Sequence, residues 1–352
     1  MLRILVTGAA GLIGGEVCAR LAARGHGVTA LVRRTREVRG NDGALVPGIK
    51  VIVGDVTLPL LGLVPQPCDV VIHCAAHLEF DAPEAELTAV NVEGTRNALD
   101  YARAAGARFL HVSTAYVCGD RQGTIAEAPV PGGTVFTNRY EASKAAGEAV
   151  VAMSGVPFAV ARPSIVLGES GSGAIRDFPS LCNVFRLMAR GKVTQFPVSS
   201  EATLDLVPID HVATGIVALA EAMDAAQGGY FHLVADRPLP AAALAEGVAR
   251  VAHFPAPRVV APADYDLAAL RPAERMLAER MLATFGAYFT RSPRFDDSQF
   301  RALTGLACPS TDAAWLDRLI AYGIARGYLP NARPDRTAQA VPSLPEPIVV
   351  RP

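Results

Sequence analysis

The sequence predicts an α/β protein: a Rossmann-like, doubly wound parallel sheet with a smaller, mostly helical C-terminal substrate part. Three observations carry that expectation. Short β-branched runs alternate with helical patterns through the first half of the chain. Those runs are apolar throughout, as strands covered on both faces are. The first run leads straight into a glycine-rich turn and then a helix.

Strands are expected at Arg3–Thr7, Gly27–Val32, Lys50–Val53, 69–74, 108–113 and 157–162. Helices are expected between them at Leu12–Ala23, 85–105 and 139–154. In the second half, strands are expected at 204–208 and 230–234, with a helix over 210–226. Helical patterns follow at 240–252, 263–284, Ser298–Thr304 and 312–326. This divides the chain into a dinucleotide-binding domain, 1–163, and a substrate-binding part interleaved with it, 164–330. The stretch 331–352 is proline-rich, has no aromatic residue and cannot build a core, so it is expected to be a disordered tail.

Composition sets outer bounds. The 352 residues carry 33 Lys+Arg and 34 Asp+Glu, a formal net charge of −1. That balance, with no basic stretch, argues against a nucleic-acid binder. Hydrophobic residues make up 51% and aromatics only 6%, so Ala, Val and Leu must fill the core. Six cysteines (18, 68, 74, 118, 182 and 308) form no CxxC pair and none stands at zinc-finger spacing from a His. They fit reduced thiols of a cytoplasmic protein with no metal site. No leader is expected before Arg3-Ile4-Leu5-Val6, and no apolar stretch approaches 18 residues, so no membrane span is expected.

The turn Thr7-Gly8-Ala9-Ala10-Gly11-Leu12-Ile13-Gly14 has GxxGxxG spacing. Glycines there permit a tight turn and let backbone N–H groups approach a pyrophosphate at a helix N-terminus. At the end of the second strand, where an NAD binder usually places an acid for the ribose 2′-OH, stand Arg33 and Arg34. Guanidinium pairs with a 2′-phosphate, so NADPH is expected in preference to NADH. Asp55 and Val56 end the third strand; Asp55 either meets the adenine amino group or caps a turn. Ala75 and Ala76 end the fourth, and small residues there would let a ribose approach the backbone.

Tyr140-Glu141-Ala142-Ser143-Lys144 places a phenol and an ammonium four residues apart on one helix face. A nearby ammonium is expected to lower the phenol pKa, making Tyr140 a proton donor to a carbonyl or a base toward an alcohol. Ser113 and Thr114 end the fifth strand, where a hydroxyl can orient the reacting oxygen. Adjacent strand residues point to opposite faces, so only one of the two is expected to do so.

Together, the glycine loop, the Ser-Thr pair, Tyr140 and Lys144 resemble the extended short-chain dehydrogenase/reductases. The resemblance implies that Tyr140 is the acid/base and that Lys144 holds the nicotinamide ribose and tunes Tyr140. Counting five positions back from Gly119, it implies that Thr114 orients the substrate. Asn91 and Arg162-Pro163-Ser164 match the family as cofactor-side and scaffold positions, with Pro163 and Ser164 beside the cofactor. Within the family, His73-Cys74-Ala75-Ala76-His77-Leu78-Glu79-Phe80-Asp81, Asp205–Val212 and the stretch from Tyr288 to Leu329 resemble the fatty acyl-CoA reductase and thioester reductase branch. His77 departs from the Thr or Ser usual there; it would line the substrate pocket or be a hydrogen-bonded structural residue. Cys118 and Ile165 are the other expected pocket residues.

The implied activity is NADPH-dependent reduction of an acyl thioester, on coenzyme A or a carrier, to an aldehyde, with an alcohol after a second hydride. The alternatives are an NAD(P)-dependent alcohol/ketone oxidoreductase of the 3-beta-hydroxysteroid dehydrogenase type, or a nucleotide-sugar epimerase or dehydratase. The last usually hold NAD tightly, which Arg33 and Arg34 argue against. A non-catalytic NADP sensor would tend to have lost Tyr140 or Lys144. A homodimer through the helices at 85–105 and 139–154 is a family-level expectation.

Overall fold

The computed structural model describes residues 1–80 and 82–332. Asp81 and all but Asn331 and Ala332 of the expected tail lie outside the described residues.

Seven parallel strands form the main sheet: β1 (Arg3–Thr7), β2 (Gly27–Val32), β3 (Lys50–Val53), β4 (Val70–His73), β5 (Arg108–Val112), β6 (Phe158–Pro163) and β7 (Tyr230–Leu233). Their order is β7-β6-β5-β4-β1-β2-β3. The order reverses between β1 and β4, and a ligand crevice opens outside the carboxyl ends of strands at such a point. Thr7 pairs with His73 and His73 with His111, so the ends of β1, β4 and β5 lie level.

The unbroken apolar runs are explained by the two covered faces. Ile4, Val6, Val70, Ile72 and Leu110 face one core with α1 (Leu12–Ala23) and Val212–Val217. Leu5, Val71, Phe109 and Val160 face the other with α2 (Gly94–Ala105). Arg20 on α1 donates to Thr214 Oγ1 at 2.9 Å, fastening the helix 209–221 against it. A third core lies in the second half, around Phe196, Phe289, Trp315 and Tyr116.

Several elements differ from expectation for local reasons. The helix expected over 85–105 is interrupted by a π-helical segment, Thr88–Glu93, which rotates Asn91 inward to 1% exposure. The strand expected over 204–208 breaks at Asp205, whose buried carboxylate accepts the Ala235 N–H at 2.8 Å. The helix expected over 263–284 starts only at Pro272, preceded by two short 3₁₀ turns; proline at a first helical position fixes that start. The pattern at 240–252 shortens to Ala243–Ala249, because Leu239 and Pro240 pair with Leu204 and Thr203. Tyr230–Leu233 returns from the second half to pair with β6, so the main sheet draws on both expected segments.

The remaining helices used below are α3 (Arg139–Ala152), α4 (Cys182–Ala189), α5 (Ile209–Glu221), α6 (Pro272–Phe285), α7 (Ser298–Thr304) and α8 (Ala313–Ala325). No helix among the described residues is long and apolar enough to cross a membrane.

Candidate active site

A cleft of about 650 Å³ opens between β1 and β4, at the reversal of strand order. Its floor is the glycine loop. Gly8 has φ +66°, and a Cβ on it would stand 2.6 Å from the Ala75 nitrogen. A Cβ on Gly14 would stand 2.3 Å from the Gly8 carbonyl oxygen. No side chain fits at either position, so the loop can lie tightly against β4 and the start of α1. Gly8, Gly11, Leu12, Ile13 and Gly14 all line the cleft, with α1 presenting its N-terminus there.

The expected cofactor residues separate into those at the cleft and those behind it. Arg33, Asp55, Val56, Ala75, Ala76, Pro163 and Ser164 border it. Arg34 is exposed beside Arg33 but does not line the cleft. Thr7 is a correction: it is fully buried behind the cleft, accepting from the Ala75 N–H at 3.3 Å and bonding His73 Nδ1 at 2.8 Å. The Thr95 hydroxyl donates to the Asn91 carbonyl at 2.8 Å, so its oxygen accepts from His73 Nε2–H at 3.3 Å, which leaves Nδ1 to accept the Thr7 hydroxyl proton. Burial pushes His73 down to about 3, so it is neutral. Of the two roles left open for Asp55, the turn cap is present. The residue lines the cleft, and its Oδ1 caps a turn by accepting from the Thr57 N–H and hydroxyl, both at 2.9 Å. Burial raises its carboxyl, but those bonds with Arg33 and Arg34 bring it below the usual range.

Tyr140 and Lys144 lie on α3, whose N-cap Asn138 accepts the Glu141 N–H at 2.8 Å. Both line the cleft. Lys144 is 1% exposed and donates to the Val112 carbonyl at 2.8 Å, fixing α3 to the end of β5. Burial pushes its ammonium down to about 8, against the opposing pull of Glu148. The expected lowering of the Tyr140 phenol is not what the geometry gives. Burial, then the charge of Glu141, hold it above its ordinary value.

The one-of-two argument for Ser113 and Thr114 also needs correction. β5 ends at Val112, and Thr114 caps a 3₁₀ turn over Ala115–Cys118, so strand alternation no longer applies. Both residues line the cleft. Thr114 Oγ1 accepts the Tyr116 N–H at 3.3 Å, while the buried hydroxyl of Ser113 has no protein partner. The same turn swings Cys118 into the third core, fully buried and away from the cleft; it is not a pocket residue. Burial pushes its thiol up to about 11.

A second cavity, of about 830 Å³, runs between α4 and α6. Leu78, Thr114, Tyr140, Ser164, Ile165 and Pro179 border both spaces, so Thr114 and Tyr140 stand at their junction. Phe80, Tyr116, Phe285 and Tyr288 give its near end an aromatic wall, and Leu181, Val184, Leu187 and Met281 an apolar interior. His77 lines the cleft with its backbone clamped by Asn91: its N–H donates to Oδ1 at 2.8 Å, and its carbonyl accepts from Nδ2 at 3.0 Å. Asn91 Nδ2 also donates to Ser143 Oγ at 2.8 Å, tying this loop to α3 one residue before Lys144.

Sequence reasoning missed Ser113, excluded by alternation, and the loop Asp177-Phe178-Pro179, which lines the cleft. That loop carries no motif. It is held by tertiary contacts, Phe178 stacking on Tyr328 at 3.9 Å between ring centres. Among the described residues no cluster of three or more His, Cys, Asp or Glu side chains could hold a metal.

The cleft fits a dinucleotide: a glycine cradle too tight for any Cβ, a helix N-terminus with no side-chain cap, and a buried Ser113 hydroxyl without a protein partner. Known proteins agree with it. The chain is 30% identical over 348 residues to "Sterol demethylase protein B" of Methylococcus capsulatus, covering 92% of this chain and 99% of that protein. It is 29% identical over 335 residues to a "3-diazoavenalumate denitrifying reductase" of a Streptomyces species, covering 90% and 99%. Among solved structures, the terminal R domain from the myxalamid PKS-NRPS biosynthetic pathway superposes with a TM-score of 0.80 at 28% identity, covering 93% of this chain and 92% of that one. Residues 6–216 match the NAD-binding family described as "Male sterility protein", and the chain belongs to that family, an NAD(P)-binding oxidoreductase of the extended short-chain dehydrogenase/reductase type.

Proposed function

We propose that the protein is an NADPH-dependent reductase of an acyl thioester, giving an aldehyde and a free thiol. The observation that carries this reading is the junction: Thr114 and Tyr140 border both a dinucleotide-shaped cleft and a large, mainly apolar cavity. Likeness to the R domain, and the resemblance of residues 73–81 and 205–212 to acyl reductases, support the thioester over other carbonyls.

The glycine loop and the α1 N-terminus would hold the pyrophosphate, Arg33 the 2′-phosphate, and Lys144 the nicotinamide ribose. The bound cofactor supplies a hydride to the carbonyl carbon. As the carbonyl π electrons move to oxygen, the hydroxyls of Thr114 and Tyr140 stabilise the developing charge, and Tyr140 donates its proton there. Its raised phenol suits that role, since it stays protonated throughout the neutral range. The resulting hemithioacetal loses its hydroxyl proton, reforms the carbonyl and breaks the C–S bond, and the sulfur leaves with the electron pair and takes up a proton. Residues 1–163 with β7 would form the cofactor-binding body, and most of 164–330 the substrate-binding part.

A second reading, oxidation or reduction of a bulky alcohol or ketone by the same residues, is favoured by the full-length likeness to the Methylococcus protein. One panel separates them: NADPH with acyl-CoA thioesters, ketones and aldehydes, following cofactor absorbance and free thiol together. Tyr140→Phe is expected to lose turnover by about a hundredfold or more while keeping NADPH affinity. Wild-type turnover in that variant would remove Tyr140 as the proton donor.

A further inference from the structure

We infer that Tyr288 and Arg291 are positioning residues for Tyr140, holding it through Glu141 on one side and through Phe80 on the other. The inference rests on the reading of Tyr140 as proton donor.

Glu141 follows Tyr140 and occupies the third position of α3, where a Glu ordinarily closes a capping box in solvent. Here its carboxylate is fully buried. Its Oε2 accepts from the Thr137 N–H at 3.1 Å and the Thr137 hydroxyl at 2.9 Å, one residue before the N-cap Asn138. Its Oε1 faces the other way. It accepts the Tyr288 hydroxyl at 2.8 Å and Arg291 Nη2 at 2.7 Å. A buried carboxylate needs such a partner, and Arg291 is itself only 4% exposed. Arg291 also donates to the Gly119 carbonyl, and its guanidinium lies 4.4 Å from the Tyr288 ring centre and 5.0 Å from that of Tyr116.

The second hold is on the ring. Phe80 stacks on Tyr140 at 5.4 Å between centres and on Tyr288 at 5.9 Å. A three-ring stack thus runs from the phenol at the cavity junction to the segment that clamps Glu141. Both constraints end in residues 288–291, far along the chain from α3. A cap needs only Asn138; it does not need a buried arginine or an aromatic bridge.

The test is a double-mutant cycle with octanoyl-CoA and NADPH, measured by single turnover. Tyr288→Phe keeps the ring and removes the hydroxyl that donates to Glu141 Oε1 and accepts from Asn138 Nδ2 at 3.3 Å. It is expected to lower the rate about ten- to a hundredfold, as small misplacements of reacting groups do, with NADPH affinity and melting temperature near wild type. In a Tyr140→Phe background the same change is expected to add nothing, because its effect passes through that phenol. Phe80→Leu is expected to behave likewise, and Arg291→Lys to keep more rate than Arg291→Met. The inference is overturned by a wild-type rate in Tyr288→Phe, or by equal losses in both backgrounds, which is how general bracing behaves. Should Arg291→Met fail to fold, Tyr288→Phe and Phe80→Leu decide the matter. A wild-type rate in Tyr140→Phe alone overturns the proton-donor reading; a Tyr140→Phe loss beside a wild-type rate in Tyr288→Phe overturns only the positioning.

Discussion

Lys144 is the residue whose chemistry is most exposed to pH. Its ammonium is buried beside the end of β5 and is pushed down to about 8. Below that value it is charged and can hold a ribose; above it the charge is lost. The kcat/KM for NADPH, which reports the free enzyme, is therefore expected to fall as pH rises through about 8, and kcat to fall at a higher pH because bound cofactor moves the midpoint upward. Loss of fold does not explain such a fall through this group. The unfolded lysine keeps its proton to about 10.4, so stability from Lys144 rises with pH over that interval. A profile flat to pH 10 in the free enzyme would contradict this assignment. The two arginines make a sharper pair of variants. Arg33 lines the cleft and Arg34 does not, so Arg33→Ala is expected to weaken NADPH about tenfold or more with little change for NADH, and Arg34→Ala much less. Equal weakening of both cofactors would remove the 2′-phosphate argument. Residues such as Tyr140, Lys144 and the loop glycines were legible because helix and turn geometry fixes where their spacing puts them. Cys118 was not, because one 3₁₀ turn decides whether it faces the pocket or the core. Nor was the Tyr140 pKa, because burial outweighs a neighbour's charge.

At the scale of elements, the sequence pattern located β1, α1, β2, β3 and α7 to the residue, since glycine, proline or polar breaks bound each. It failed where a side chain overrules backbone propensity. Asp205 splits a strand to reach the Ala235 N–H, and the π segment around Asn91 has no local signature. Glu127 is another such side chain. It accepts the N–H groups of His232 at 2.7 Å and Gln299 at 2.6 Å, joining β7 to the start of α7. Burial, outweighing those bonds, pushes its carboxyl up to about 7. In the unfolded chain the value is near 4.3. The folded state therefore binds more protons between those values, and Glu127's contribution falls as pH rises through about 7. Thermal melts of wild type and Glu127→Gln from pH 4.5 to 7.5 check this. The wild type is expected to lose more melting temperature over the range than the variant, and parallel curves would count against it.

Across the whole molecule, the apolar, aromatic-poor composition serves a sheet buried on both faces, where Val, Ile and Ala pack against helices with little room for rings. The aromatics gather instead in the second half and at the cavity junction, which no composition figure anticipates. The doubly wound body was legible because its pattern is local and repetitive. The joining of both halves at Tyr140 was not, because Phe80, Tyr288 and Arg291 meet it only in the folded chain. The buried Arg162–Glu148 pair shows the same long-range logic: Arg162 on β6 holds Glu148 on α3 at 2.7 Å and donates to the Ala128 carbonyl at 2.8 Å. Arg162→Met, which leaves that carboxylate unpaired, is expected to cost about 3–5 kcal/mol in urea-unfolding stability. A loss below about 1 kcal/mol would show that the pair does not brace α3.

A thioester carbonyl is expected to meet Tyr140 and Thr114 at the junction of the two cavities. The most direct measurement follows NADPH oxidation and free thiol in the same cuvette, with a medium-chain acyl-CoA as substrate. The expected result is one thiol released for each first hydride transferred, lost together in Tyr140→Phe. NADPH oxidation on ketones with no thiol released from any acyl-CoA would contradict it.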